Sequence, residues 1–222
     1  MKELSKNTEC SMQIVCVEHL KQGKRKIYLD NGCSFLLYLS EMRALGICEG
    51  ELISHTLYCR IMQEIIGKRA KKRALHLLEK MDRSEAQLRE KLAAGEYPPE
   101  CIEDAISYVK KFHYLDDYRY ACNFVRYRQE SLSCQQIKQK LMTKGVKRDI
   151  IDLALEKEYA GDEQEQICKL LAKKHYTGAP RDSAEFRKTY QFLLRRGFHN
   201  HDILKEMGRF QENNTTYGGD LL

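Results

Sequence analysis

The chain has no Cys-x-x-Cys pair, and its nine cysteines, at 10, 16, 33, 48, 59, 101, 122, 134 and 168, are odd in number. That speaks against a disulfide framework and a thiolate zinc site and fits a reducing cytoplasm, with cysteines such as Cys101 and Cys122 packing as small hydrophobes. Long uncharged runs are missing too. The longest stretch free of Asp, Glu, Lys and Arg is Asn31 to Ser40, half a membrane span at most, so no membrane contact is expected. The first ten residues carry Lys2, Glu3, Lys6 and Glu9 with no apolar segment, and a secretory signal is not expected either. No G-x-x-x-x-G-K-[ST], G-x-G-x-x-G or G-x-S-x-G occurs, which removes the common phosphate cradles and the nucleophile elbow.

The remaining chemical groups do not assemble into a catalytic set. Asp116 and Asp117 are adjacent, so on a helix they point about 100° apart and share no target; capping a helix N-terminus is their simplest role. His199 and His201, two apart, do not face one metal ion on a helix. We therefore expect no catalytic residue, no metal and no cofactor.

What is present is a recurrence. Leu92, Tyr97, Ile102 and Ile106 return 49 residues later as Leu141, Val146, Ile151 and Leu155, and after a further 52 as Leu193, Phe198, Ile203 and Met207. A period near 50 residues marks a helical repeat array whose units bury their apolar faces by stacking, giving an elongated, curved monomer. The turn chemistry agrees. Ser84-x-x-Gln87 and Ser133-x-x-Gln136 are capping boxes, and Asp182-x-x-Glu185 is a third helix start. Pro98 and Pro99 suit the first turn of a helix, and Gly145 and Gly197 suit left-handed helix ends. The fold expected is mainly α: three-helix repeats over 67–117, 118–163 and 164–212, with a disordered tail at 213–222. Ahead of them, residues 1–66 hold a β-meander over Met12–Leu20, Arg25–Asp30 and Cys33–Tyr38, a short helix from Ser40, and a helix from Glu51 lined by Leu52, Leu57, Ile61, Ile65 and Ile66. The basic cluster Lys68, Arg69, Lys71, Lys72 and Arg73 is expected to bridge this segment and the array.

The formal net charge of +6 is uneven: 0 over 1–66, +1 over 67–117, +2 over 118–163 and +3 over 164–222. Within Leu115–Arg128, Ala121, Phe124 and Val125 form an inward helical face. Arg119, Asn123 and Arg126 point the other way, and Tyr120 and Tyr127 lie on the flank. Paired arginines with interleaved tyrosines suit contact with acids, phosphates or stacked bases. Lys138, Lys140, Lys144, Lys147 and Arg148, then Arg187, Lys188, Arg195 and Arg196, are second and third basic clusters, read as falling at corresponding places in successive repeats. Together they predict one basic, partner-binding strip.

At these residues the chain resembles the RecX regulatory protein family. The resemblance rests on RSEAQLREKL (83–92), VKKFHYLDDYRYACNFVRYR (109–128) and SCQQIKQKLMTKGV (133–146) with its downstream Ile and Leu. It covers residues 70–160 well and loosens beyond 164, where Thr189 stands in the place of Ile137; the β-rich N terminus resembles an extension found in some members. It implies a modulator of the RecA recombinase, lodged in the groove of the nucleoprotein filament and limiting its growth and its ATPase, strand-exchange and co-protease activities. Contact with nucleic acid would be weak or indirect. The alternative is a helical-repeat protein that binds single- or double-stranded nucleic acid directly, although +6 over 222 residues is low for a dedicated binder.

Overall fold

The computed structural model describes residues 11–216, which form two compact units divided between Asp116 and Asp117. The first opens with strands β1 (Ser11–His19), β2 (Lys24–Leu29) and β3 (Ser34–Tyr38), which with a later strand, β4 (Leu52–Ser54), form an antiparallel sheet in the order β3-β2-β1-β4. Strand β4 was not expected. The helix anticipated from Glu51 begins only at His55, because Ser54 takes an extended conformation and its side chain accepts the Leu57 N–H. Leu52 consequently lies in the strand and is exposed.

Helix α1 (Leu39–Ala44) connects the sheet to β4. Then α2 (His55–Arg60), a π-helical turn (Ile61–Gly67) and α3 (Lys68–Lys80) run on without a break. At the end of the π turn a Cβ on Gly67 would stand 2.8 Å from the Met62 carbonyl oxygen, so a larger residue would force the backbone apart. Helices α4 (Glu85–Ala93) and α5 (Pro99–Lys111) complete the first unit. Ile14, Ile27, Phe35, Leu37 and Ile53 from the sheet share one continuous core with Ile61, Ile66, Ala74, Leu88, Leu92 and Ile106. The boundary expected at residue 66 thus falls within a single core, in the middle of a helical run.

Arg69 joins sheet and helices as the basic cluster led us to expect. Its guanidinium donates to the Leu36 carbonyl at 3.1 Å, grips Glu41 at 2.5 Å and stacks 4.7 Å from the Tyr38 ring. Lys26 adds a second tie, to Glu96 at 3.3 Å.

The second unit contains α6 (Asp117–Arg128), α7 (Cys134–Thr143), α8 (Arg148–Glu158), α9 (Glu163–Lys173), α10 (Ala184–Arg195) and α11 (Asn200–Thr216). α11 runs through the first four residues of the expected disordered tail, and residues 217–222 lie outside those described. One core centres on Ala121, Val125, Ile137, Leu141, Ile151 and Ala154, and another on Ile167, Leu171, Leu193, Phe198, Ile203 and Met207. Each recurring apolar position is buried or partly buried, Tyr97 and Leu155 being the partly buried ones. Their sum is what closes each repeat, since a fully buried Leu or Ile contributes about 1.5–3 kcal/mol.

The middle helices start alike. Ser84, Ser133 and Ser183 accept the backbone N–H of Gln87, Gln136 and Phe186 at 3.2, 3.2 and 3.1 Å. The third cap is therefore Ser183 and not Asp182: Ser183 is the extended residue next to the first helical turn, and its hydroxyl reaches a free N–H. These helices also end alike, with Tyr97, Val146 and Phe198 donating to the Leu92, Leu141 and Leu193 carbonyls. Gly145 and Gly197 hold the left-handed position at φ 77° and 80°, whereas in the first repeat Glu96 occupies it at φ 59°.

Among the described cysteines all are free, and only Cys101 and Cys122 are buried; Cys16, Cys33 and Cys48 are exposed. Burial as small hydrophobes thus holds for a minority. No helix among the described residues is long and apolar enough to cross a membrane, and no group of three or more His, Cys, Asp and Glu among them is placed to hold a metal ion.

Candidate partner-binding surface

The structure separates the basic residues of the second unit into engaged and unengaged side chains. Ala121 and Val125 turn one face of α6 into the core, Phe124 is half-buried, and Arg119, Arg126 and Tyr127 lie on the exposed side, with Tyr127 80% exposed. Tyr120 is half-buried and packs against the same core. Arg126 is fully engaged. Its Nη2 and Nε donate to Glu158 at 2.8 and 3.1 Å, and its Nη1 lies 3.4 Å from the Asn123 side-chain oxygen. Such a two-point pair with a largely covered carboxylate fixes α6 to the end of α8 and takes the guanidinium's fork away from a partner.

Lys138 is engaged as well, in an ion pair from α7 to Asp152 on α8; Arg148 reaches the other oxygen of Asp152 at 3.8 Å. The first repeat has the same strut, Arg89 to Glu103, 49 residues earlier at both ends. In the third repeat the corresponding residues are Tyr190 and Leu204, and Tyr190 instead donates to Asn200 at 2.8 Å. Recurrence at position 138 is thus accounted for by packing within a repeat. Lys144 lies 5.7 Å from the Phe124 ring, and Arg187 donates to the Asp182 carbonyl at 2.6 Å.

Lys140, Lys147, Lys188 and Arg195 are exposed and have no side-chain partner among the described residues. Their charge is available, which matters because a cation already paired gains little from a second anion.

Arg196 belongs to a further cluster that sequence reasoning missed. Its guanidinium lies 4.5 Å from the centre of the Phe192 ring, and Lys174 lies 4.2 Å from the same ring. With Lys169, Lys173, Leu170, Gln166, Glu130 and Ser131 they line a groove of about 430 Å³. The Lys169–Lys173 spacing of four on α9 was the available signal. Its link to residue 196 was not local.

Comparison with known proteins agrees with this architecture. The models of the first, second and third three-helix domains of RecX match residues 70–108, 116–155 and 162–205. The regulatory protein RecX of Clostridium acetobutylicum is 31% identical over 202 residues, covering 87% of this chain and 94% of that one. The regulatory protein RecX of Caldanaerobacter subterraneus is 28% identical over 192 residues, covering 86% and 95%. A crystal structure of regulatory protein RecX aligns with a TM-score of 0.59 and 25% identity over 86% of this chain and 96% of that one. The crystal structure of RecX from Lactobacillus salivarius aligns with a TM-score of 0.56 and 23% identity over 65% and 96%. Matched by three consecutive domain models and by relatives over nearly their whole length, the chain belongs to the RecX family of regulatory proteins.

Proposed function

We propose that this protein is a non-catalytic regulator that binds the RecA–DNA nucleoprotein filament and restrains its assembly, ATPase, strand exchange and co-protease activity. Family membership supplies the partner, and one observation about this chain supports the mode: the second and third repeats both carry exposed cations with no side-chain partner among the described residues, Lys140 and Lys147 in the one and Lys188 and Arg195 in the other. A filament of nucleic acid and protein carries dense negative charge, and uncompensated surface cations speed encounter with it and orient the approach. Arg119 and Tyr127, exposed on α6, extend the same contact. Engaged residues such as Arg126 and Lys138 hold the repeats in shape.

Co-sedimentation with a recombinase filament, with bare single-stranded DNA and with free recombinase tests this directly. The protein should pellet with the filament well above its recovery with bare DNA, and should slow ATP turnover in proportion to occupancy. Recovery with bare DNA equal to that with the filament would favour direct nucleic-acid binding and displace the recombinase reading.

A further inference from the structure

The groove around Phe192 has features that a merely solvated set of lysines would lack. Lys173 and Lys174 have no carboxylate partner among the described residues, nor does Arg196, and all three converge on one opening with Lys169, whose own partner is Glu165 at 2.9 Å. Glu130 is the single acid in the lining.

The walls are fixed by bonds between repeats. The buried Ser133 hydroxyl donates to the Arg196 carbonyl at 2.5 Å, and the buried Gln166 donates to the Gln129 carbonyl at 2.6 Å. Just past Arg196, Gly197 sits at φ 80° with space for no side chain, because a Cβ there would lie 2.9 Å from that of Gln135. The backbone carrying Arg196 is thereby held against the start of α7, and the guanidinium lies over the Phe192 ring, 4.5 Å from its centre. A guanidinium placed in that way, with lysines beside it, presents planar donors and point charges to the oxygens of a phosphate.

We infer that this groove holds the phosphodiester backbone of a single nucleic-acid strand, without regard to its sequence. The lining has cations and an apolar floor of Leu170 and Phe192 but little that could distinguish one base edge from another, which is how sequence-independent single-strand grooves are built. Three cations around one opening, none with a carboxylate partner among the described residues, supply the positive charge that a phosphodiester backbone calls for. Lys174 and Arg196 are also the C-cap residues of α9 and α10, whose partly negative carbonyl ends offset some of their positive potential, so the site is weak and strongly salt-dependent. The inference stands apart from the choice of recombinase as partner.

The test is fluorescence anisotropy of the full chain with a labelled oligothymidine, at rising salt, with polyglutamate as competitor. Lys173→Gln/Lys174→Gln removes two charges from exposed positions, and circular dichroism confirms that the fold is kept. This variant should bind about tenfold more weakly, and the slope of log affinity against log salt should fall by roughly 0.7 for each phosphate no longer neutralised. Lys21→Gln/Lys91→Gln, an equal loss of charge at exposed positions of the other unit, should bind as the unmodified chain does. Phe192→Leu keeps an apolar floor and should weaken binding less than the double lysine change. The inference is overturned by equal affinity and slope in the groove variant, by equal weakening in the control pair, or by polyglutamate competing as well as the oligonucleotide at equal charge. Sedimentation with the recombinase filament in the absence of any oligonucleotide binding would overturn the groove alone and leave the proposed function standing.

Discussion

Arg126 and Glu158 are bound to each other at two points, 2.8 and 3.1 Å, across the 32 residues that separate the first and third helices of the second repeat. From the sequence, Arg126 stood out as a cation of the partner-binding strip, pointing away from the core. With Glu158 only 13% exposed, Arg126→Glu sets two carboxylates against each other. It should cost about 1 kcal/mol after allowance for solvent on the arginine side, seen as a lower urea midpoint. Glu158→Arg on top of it should restore most of the loss.

Reversal at the unengaged cations should act differently. Lys147→Glu/Lys188→Glu/Arg195→Glu should melt near the unmodified chain, since exposed side chains without partners change stability by no more than about 0.5 kcal/mol each. Inhibition of recombinase ATPase should fall, and added salt should reproduce that fall in the unmodified protein. Full inhibition by the variant at low and moderate salt would show these cations to be idle.

Ser133 and Ser183 cap equivalent helices but should not be equally important. Ser133 is fully buried and donates to the Arg196 carbonyl as well as accepting from Gln136. Its alanine variant loses both bonds and takes the Ser133 donor from the part-buried Arg196 carbonyl, about 2–3 kcal/mol. Ser183→Ala loses only the cap, about 1 kcal/mol. Chemical denaturation of the two variants gives the comparison.

His175, exposed at the end of α9, sits in the left-handed region at φ 53°. Glycine takes that conformation freely, and His175→Gly should raise stability by about 0.5–1 kcal/mol, the left-handed strain relieved less the extra freedom of glycine in the unfolded chain. A lower melting temperature would mean the imidazole makes a contact worth more than the strain.

Stability should decline in alkali. Burial pushes the thiols of Cys101 and Cys168 up to about 11, aided by Glu100 and Asp104 beside Cys101 and by the buried Glu206 that accepts from Cys168 at 3.1 Å. A thiol ionises more readily in the unfolded chain, so below about pH 9 both states are protonated and the folded state keeps its advantage. Above that the unfolded state sheds its protons first, and stability is lost up to about pH 11. Melting temperatures between pH 8 and 11 should fall, and Cys101→Ala/Cys168→Ala should flatten the slope even though it lowers the plateau.

The repeats could be read from the chain because each is specified locally. Leu141, Val146 and Ile151 with Ser133 before and Gly145 between them fix a helix start, an apolar stripe and a helix end within about 20 residues, by turn sterics and a period of 3.6. Where two neighbouring residues could do one job, as at Asp182 and Ser183, local rules pointed to the aspartate and backbone geometry gave the cap to the serine. Strand β4 is three residues long and carries no period, so only its pairing with Ser11–Gln13 makes it a strand.

Which cations are available to a partner was decided only by tertiary structure. Charge is a property of a residue, but its neutralisation depends on what the fold brings beside it. Arg126 meets Glu158 and Lys138 meets Asp152 across turns whose length the sequence shows without showing their direction. Lys174 and Arg196 come together at Phe192 because α9 and α10 both pack against α11. The sequence by itself determined the helices, their caps and the faces they bury, because those follow from steric and hydrogen-bonding limits between near neighbours. Long-range packing sorted the basic residues into struts and free charges, because electrostatic pairing acts across space over a few ångströms and is blind to distance along the chain.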